Sequence, residues 1–260
     1  MELVIQVLQP LLPLLAILWL VIHGFTAGPP QSNLPDHLAA YRTAVADAAV
    51  RDDRNVYGGL LPITMTNNDL HWRSAARDQL LVVSFVSTDD ADRYYRTADG
   101  QGRKEGAPPD RPRLWVTLAP ELQRFCRRLG TQDPTERLKQ YLGLSPDATK
   151  DWLVEMWVAR DELFRPCPDP EVTDSVCSLR SSDTPPTVKN VPDYRLFLLS
   201  LYEQSYQTDR GAPWTGLGYT YDWAHGHGIG ASEYMLVPGA QYEVQSVQRP
   251  ASYCAAGPGR

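Results

Sequence analysis

The sequence predicts an α+β fold in which helices pack on a mixed or antiparallel sheet, preceded by one N-terminal transmembrane or signal segment. Short runs rich in β-branched and aromatic residues alternate with segments whose apolar residues recur at helical spacing. These runs lack the strict strand–helix–strand rhythm that produces parallel sheets. We therefore expect a hydrophobic anchor or signal segment at residues 1–27, a linker at 28–33 and a single extracytoplasmic α+β domain at 34–260.

The N-terminal segment sets the expected location. Residues 3–22 are nearly all apolar, and about 20 such residues in a helix match the hydrocarbon thickness of a bilayer. No Lys or Arg precedes them and none follows closely, which favours export of the rest of the chain. Cleavage as a signal peptide beside Ala27 and Gly28 is the alternative. The protein is thus predicted to be membrane-anchored and extracytoplasmic (periplasmic), with the membrane as a partner, or to be secreted.

The first half of the domain is predicted to contain one helix and two strands. Residues 33–50 have apolar positions at helical spacing, with Pro35 in the first turn, where proline is tolerated. Residues 60–66 and 79–87 have the composition of strands. Residues 89–112 carry charges, glycines and prolines, so we expect an exposed loop there.

The second half of the domain is also predicted to contain both strands and helices. Residues 113–118 and 151–158 are predicted strands, and the latter is apolar on both faces, as central strands are. Helices are expected to begin at Pro120 and after Asp133, and to span residues 194–206.

The C-terminal part is predicted to form a β-hairpin. Residues 234–237 and 242–247 have strand composition, and Pro238-Gly239 between them is a turn signal.

Charge and composition narrow the class of partner. The formal net charge is -6, whereas a protein that binds nucleic acid by counterion release needs a basic face. Nucleic acid is therefore not a predicted partner, and a protein or a small molecule is. No pattern identifies a cofactor.

The four cysteines allow three pairings, and an exported location permits disulfides. We favour a bond between Cys167 and Cys177, because it would close a short proline-containing loop and contribute about 3 kcal/mol. The remaining pair, Cys126 and Cys254, would tie the C-terminus to the helix that begins at Pro120. A metal site is the weaker alternative, since the sequence has no CxxC motif.

Two longer motifs carry a resemblance to a known family. Residues 164–171 read FRPCPDPE and residues 213–223 read PWTGLGYTYDW, with a strand at 152–158 and the ending Tyr253-Cys254. Together they resemble an uncharacterised family of bacterial exported or membrane-anchored proteins. The resemblance implies one extracytoplasmic domain and no particular activity.

The segment 213–233 is the candidate ligand-binding region. Aromatic side chains alternate there with small residues, and rings beside a carboxylate and an imidazole suit the binding of a sugar or a nucleotide. An aromatic-rich strand and turn that packs on the core is the alternative. The candidate ligand-binding residues are Trp214, Tyr219, Tyr221 and Trp223.

His225 and His227 are candidate metal ligands, with an oxygen of Asp222 as a third. Two imidazoles at positions i and i+2 of a strand share a face. The glycines around them favour instead a flexible loop with exposed histidines, since metal ligands are normally held on rigid elements.

Glu233, with Asp222, is the candidate catalytic residue. Residues 232–247 resemble the last motif of ADP-ribosyltransferases, in which a Glu at a strand start orients the nicotinamide ribose. Ala231 stands where some members carry a second acidic residue. The sequence thus leaves two hypotheses: an envelope protein that binds a partner or small ligand through residues 214–233, and an extracytoplasmic enzyme, either ADP-ribosyltransferase-like or a metal- or carboxylate-dependent hydrolase.

Overall fold

The computed structural model describes residues 34–97, 113–130, 133–180, 184–226 and 228–255. Outside these residues lie the predicted anchor or signal segment (1–27), the predicted linker (28–33), most of the predicted loop at 89–112, and His227. Within the described ranges, no helix combines the length and the apolar character needed to cross a membrane.

Helices begin where the sequence supplies a cap or a proline. The Asp193 side chain accepts a hydrogen bond from the N–H of Leu196, and that of Asp133 accepts from the N–H of Thr135. These bonds satisfy amides that the first helical turn leaves open. Pro120 lies in the first turn of its helix, where no donor is needed. The helices are α1 (Leu34–Ala48), α2 (Ala119–Arg127), α3 (Pro134–Tyr141), α4 (Tyr194–Tyr206) and α5 (Pro250–Ala255).

The strands confirm the prediction of an α+β fold with an antiparallel sheet. They are β1 (Gln79–Val86), β2 (Trp115–Leu118), β3 (Trp152–Ala159), β4 (Leu163–Phe164), β5 (Tyr219–Asp222), β6 (Gly228–Ser232), β7 (Tyr234–Leu236) and β8 (Tyr242–Gln248). One six-stranded sheet has the order β4-β7-β2-β1-β3-β8. Every neighbouring pair in it is antiparallel. β5 and β6 form a separate antiparallel pair.

Side chains from both faces of the large sheet are buried. On one face, Leu80 and Val82 of β1 pack with residues of β3 and with Tyr194 of α4. On the other face, Leu81 and Val83 pack against α2, α3 and α5. This double coverage explains why β1 reads as a continuous apolar run and not as an alternation. The described residues from 34 to 255 belong to one compact unit.

The predicted strand at residues 60–66 is wrong. The N–H of Leu60 donates to the carbonyl of Ser175 at 3.0 Å, and the N–H of Ile63 donates to that of Val172 at 2.6 Å. Leu60 packs on the disulfide between Cys167 and Cys177. The apolar composition of this segment therefore reflects burial against a loop, which sequence composition does not distinguish from burial in a sheet.

The predicted C-terminal hairpin is also wrong. Pro238 and Gly239 do form a turn, in which the N–H of Ala240 donates to the carbonyl of Val237 at 3.0 Å. However, β7 pairs with β2 and β4, whereas β8 pairs with β3 at the opposite edge of the sheet. The turn residues specify the local bend, and long-range packing selects the strand partners.

Two predicted loops contain regular structure. The start of the predicted loop at 89–112 is helical, with Thr88–Asp90 running into a π-helical turn at Ala91–Tyr95. The glycine-rich loop predicted before Glu233 is shortened by β6, which begins at Gly228. A Cβ on Gly230 would lie 2.2 Å from the Tyr141 carbonyl oxygen, so this glycine permits close packing of α3 and is not there for flexibility.

Both favoured disulfides are present. Cys167 is bonded to Cys177 and Cys126 to Cys254, with Cα–Cα distances of 6.6 and 4.9 Å. Structural disulfides persist in oxidising compartments. The two bonds indicate an extracytoplasmic or secreted protein.

Arg165 holds the FRPCPDPE segment in place. This side chain is fully buried, and its Nη1 donates to Oδ1 of Asp174 at 2.8 Å. The single hydroxyl proton of Tyr194 is shared between the carbonyl oxygens of Arg165 and Cys167, at 2.9 and 2.8 Å. The small disulfide loop is therefore fixed to α4 and to a buried cation, which accounts for the unusual composition of the motif.

Candidate functional site

A cavity opens where β1 and β2 diverge. The two strands pair at Val82↔Leu118 and Val83↔Thr117. Trp115 and Val116, which precede these partners on β2, have no partner residue in β1 and pair with β7 on the opposite side of β2. The gap between the strands leads into a cavity of about 410 Å³, bordered by residues of β1, β2, α4 and the segment 212–214. The split in the sheet thus creates a recess within the folded core.

Glu233 lines this cavity. It is the single residue between β6 and β7, and its N–H donates to the carbonyl of Gly218 at 2.9 Å. The residue as a whole is half-buried, but its Oε2 atom is shielded from solvent and has no hydrogen-bond partner among the described residues. Burial raises the pKa of the Glu233 carboxyl to about 8. At neutral pH the cavity therefore contains a protonated carboxyl group that is able both to donate and to accept a hydrogen bond.

Replacement of Glu233 by Gln is expected to stabilise the folded protein at neutral pH. Folding raises the pKa of this carboxyl from its ordinary 4.5 to about 8, so the folded state retains a proton that the unfolded state releases. The stability conferred by the neutral group is complete below pH 4.5 and is lost as the pH rises through about 8. Gln does not ionise, so the variant should exceed the wild type by roughly 2 to 4 kcal/mol at pH 7.5 and match it at pH 4. Urea unfolding at both pH values measures this difference, and an equal gain at the two values would contradict the assignment.

Trp214 lines the same cavity and also has an unsatisfied polar atom. Its indole Nε1 is buried and has no hydrogen-bond partner within the described chain. The Arg51 guanidinium lies 4.5 Å from the centre of the Trp214 ring, a cation–π distance. Gly216, with a φ of +60°, makes room for this arginine, because a Cβ there would lie 2.6 Å from Arg51 Nη1. The aromatic ring is thus fixed in position while its N–H remains available.

Tyr206 connects Trp214 to two helices. It is the last residue of α4, and its single hydroxyl proton is shared between the carbonyl oxygens of Ala48, at 3.1 Å, and Trp214. Burial raises the pKa of Tyr206 to about 12. The hydroxyl therefore stays protonated and keeps the cavity wall attached to α1 and α4.

The other predicted aromatic residues have structural partners. The Tyr219 hydroxyl donates to the carbonyl of Asn55 at 2.9 Å, and the Tyr221 hydroxyl donates to Asp47 Oδ2 at 2.7 Å. Trp223 Nε1 donates to the carbonyl of Leu144 at 2.9 Å. Tyr221 also borders the cavity that contains Trp214 and Glu233, and with Tyr219 it borders a second hollow of about 300 Å³. The structure therefore brings Trp214, Tyr221 and Glu233 together, and it places Tyr219 and Trp223 elsewhere.

Asp222 lies outside the cavity that contains Glu233. Its two oxygens accept from Nη1 and Nη2 of Arg137 at 2.9 and 2.5 Å, and Oδ1 also accepts from the N–H of Ala224 at 3.2 Å. His225 is exposed in the turn after β5. In the part of the chain that the structure describes, no group of three or more His, Cys, Asp or Glu side chains is placed to hold a metal ion.

Two further carboxyl groups have partners within the fold, and sequence reasoning missed the first of them, Glu121. Both oxygens of Glu121 accept from the N–H of Ser232 at 3.1 Å, and burial raises the pKa of Glu121. This contact attaches α2 to the end of β6 and so positions the adjacent Glu233. Glu155 accepts from Gln123 Nε2 at 3.0 Å and from Ser246 Oγ at 2.8 Å. The acidic residue in the first turn of α2 resembles an ordinary helix-start charge in the sequence, so no local pattern indicated its contact.

Comparisons with known proteins add no candidate function. No protein-family model, curated protein or solved structure matches the chain at a significant level. The conclusions about function therefore depend on the cavity and its unsatisfied polar groups.

Proposed function

We propose that this extracytoplasmic protein binds a small organic ligand in the cavity between β1 and β2. One observation carries the proposal: Glu233 Oε2 and Trp214 Nε1 line the same cavity, and neither has a hydrogen-bond partner in the described structure. Buried polar atoms are paired in the large majority of cases, and leaving one unpaired costs about 1 to 3 kcal/mol. A ligand that bonds to both groups would recover that free energy.

The dimensions and walls of the cavity support this function. Its volume of about 410 Å³ falls in the range of small-molecule sites, which are largely apolar with few polar groups. Apolar residues in the lining include Phe85, Trp115 and Leu122. The proposal includes the predicted anchor or signal segment at residues 1–27, which as an anchor would place the binding site at a membrane surface.

An extracytoplasmic enzyme that uses Glu233 is the second candidate. A carboxyl whose pKa is about 8 suits a general acid or base at neutral pH. An ADP-ribosyltransferase-like reaction needs an ionised carboxylate beside the ribose cation, whereas Glu233 is protonated at neutral pH. Asp222 and His225 do not border the cavity, so neither of these predicted site residues is placed to act with Glu233. Ligand binding is therefore the preferred function.

The proposed function is tested by closing the mouth of the cavity. Ala212 is exposed and borders the cavity, so Ala212→Trp should obstruct entry without altering the core. Ala75→Trp, at an exposed loop position away from the cavity, is the matched control. We expect saturation-transfer NMR with a library of aromatic fragments to find compounds that bind the wild type and the control but not Ala212→Trp. A library in which no compound distinguishes the two variants would refute ligand binding in this cavity.

A further inference from the structure

We infer that the cavity is selective for an uncharged, amide-bearing ligand with an aromatic or aliphatic body, such as a short blocked peptide. The inference rests on the proposed function and defines the chemical class of its ligand. It follows from the end of β1–β2 pairing at Val83 beside the cavity, from the two unsatisfied side-chain atoms, and from the largely apolar lining.

The main chain of Phe85 faces the cavity. In an antiparallel sheet, alternate residues direct both their N–H and C=O groups to the same neighbouring strand. The Val86 carbonyl accepts from the N–H of Asp151 on the β3 side, whereas the Leu81 N–H donates to the carbonyl of His71 on the opposite side. By this alternation, the N–H and C=O of Phe85 point away from β3, towards the place where β2 has diverged. Strand pairing with β2 ends at Val83.

An amide group complements this edge. Phe85 offers one donor and one acceptor on the same side, which is the pattern that a strand presents to the amide groups of its neighbour. Phe85, Trp115 and Val116 all border the cavity. An extended ligand with an amide is therefore able to form hydrogen bonds with Phe85 where β2 is no longer paired with β1.

The side chains of Glu233 and Trp214 also complement an amide group. A protonated carboxyl at Glu233 both donates and accepts, as an amide does, and the Trp214 N–H donates to a carbonyl oxygen. A neutral amide-bearing ligand satisfies these groups without bringing a charge into an apolar recess, where an unpaired charge is costly.

The charges around the cavity disfavour a cationic ligand. A cation would compete with the Arg51 guanidinium, which already lies 4.5 Å from the Trp214 ring centre. Arg113, at the cavity margin, donates to Gln204 Oε1 and Ser200 Oγ at 2.8 Å each and lies over the Phe197 ring. These contacts keep the Arg113 guanidinium at the margin of the cavity. Lys150 also borders the cavity, so an anion is the charged ligand that competes with a neutral amide, although its entry into a largely apolar recess costs desolvation free energy.

Four matched probes test the inference on the full-length protein: N-acetylphenylalaninamide (neutral amide), methyl 3-phenylpropanoate (neutral ester), N-acetylphenylalanine (anion) and phenethyltrimethylammonium (permanent cation). Saturation-transfer NMR titrations at pH 7 give the dissociation constants. We expect the neutral amide to bind at least fivefold more tightly than each other probe, because the ester lacks the N–H donor. Preferential binding of the anion or the cation would overturn the ligand class but leave a binding cavity. Absence of binding by all four would overturn both the ligand class and the proposed function.

Variants of Glu233 and Trp214 provide a second test, which asks whether the ligand contacts these two side chains. As the pH rises from 7 to 9, ionisation of Glu233 should weaken binding of the neutral amide by about tenfold in the wild type. Glu233→Gln keeps a donor and an acceptor, so its affinity should stay constant over this range, whereas Glu233→Leu should lose at least tenfold at pH 7. Trp214→Phe keeps the ring and removes the N–H, and a several-fold loss is expected. An equal pH dependence in the wild type and Glu233→Gln would exclude contact between the ligand and Glu233.

Discussion

Removal of the Cys126–Cys254 disulfide is expected to lower the free energy of unfolding by about 5 kcal/mol. The bond joins α2 to α5 across a sequence separation of 128 residues, whereas Cys167–Cys177 spans a separation of 10. In the chain-entropy model a disulfide stabilises by restricting the unfolded chain, and the effect grows with loop length. The shorter bond should therefore contribute about 3 kcal/mol.

The comparison requires two double variants measured under the same conditions. Cys126→Ala/Cys254→Ala and Cys167→Ala/Cys177→Ala remove the same atoms, so their difference reports mainly the closed-loop length. Guanidinium unfolding of each variant and of the wild type without reductant gives the free energies. An equal or larger loss in the second variant would show that the small loop around Arg165, and not loop length, dominates.

Replacement of Asp222 by Ala is expected to cost about 3 to 5 kcal/mol, because it leaves a largely buried arginine without its counter-ion. The side chains of Arg137 and Asp222 are 18% and 7% exposed, and both guanidinium nitrogens of the pair contact the carboxylate. The exposed pair Arg73–Glu243, with side chains 38% and 45% exposed, is the control. Glu243→Ala should change stability by at most about 1 kcal/mol.

A second variant separates a structural role of Asp222 from a functional one. Arg137→Met/Asp222→Ala removes the arginine as well as its partner, so it should recover part of the stability lost in Asp222→Ala. Thermal unfolding of both variants measures the recovery. If Asp222→Ala folds with wild-type stability but fails to bind the cavity ligand, the carboxylate has a functional role that the ion pair does not account for.

The local elements of the fold were largely predictable. The helix at residues 194–206 and the strands that begin near Gln79 and Trp152 follow from periodicity and composition, because their own side chains decide where they are buried. The segment at residues 60–66 has strand composition but packs against a disulfide loop. Composition reports that a side chain is buried and does not report what covers it.

The candidate site was predictable in its residues but not in its construction. The density of aromatic and acidic side chains in 213–233 pointed to Trp214 and Glu233, and both line the cavity. The same density pointed to Asp222, which is paired with Arg137 from α3, far away in sequence. Arg51 carries no local signal of its contact with Trp214, since that contact joins the residues after α1 to the segment before β5.

The sequence by itself determined the α+β class, the positions of most helices and central strands, the turn at Pro238-Gly239 and the short disulfide loop. Each depends on side chains close together in the chain. Only the tertiary structure decided that β7 and β8 lie on opposite sides of β1 in the strand order, that β2 is no longer paired with β1 beyond Val83, and that Glu233 Oε2 has no hydrogen-bond partner among the described residues. Strand order and buried polar contacts depend on residues far apart in the chain, and their relative free energies are set by packing that no local pattern records.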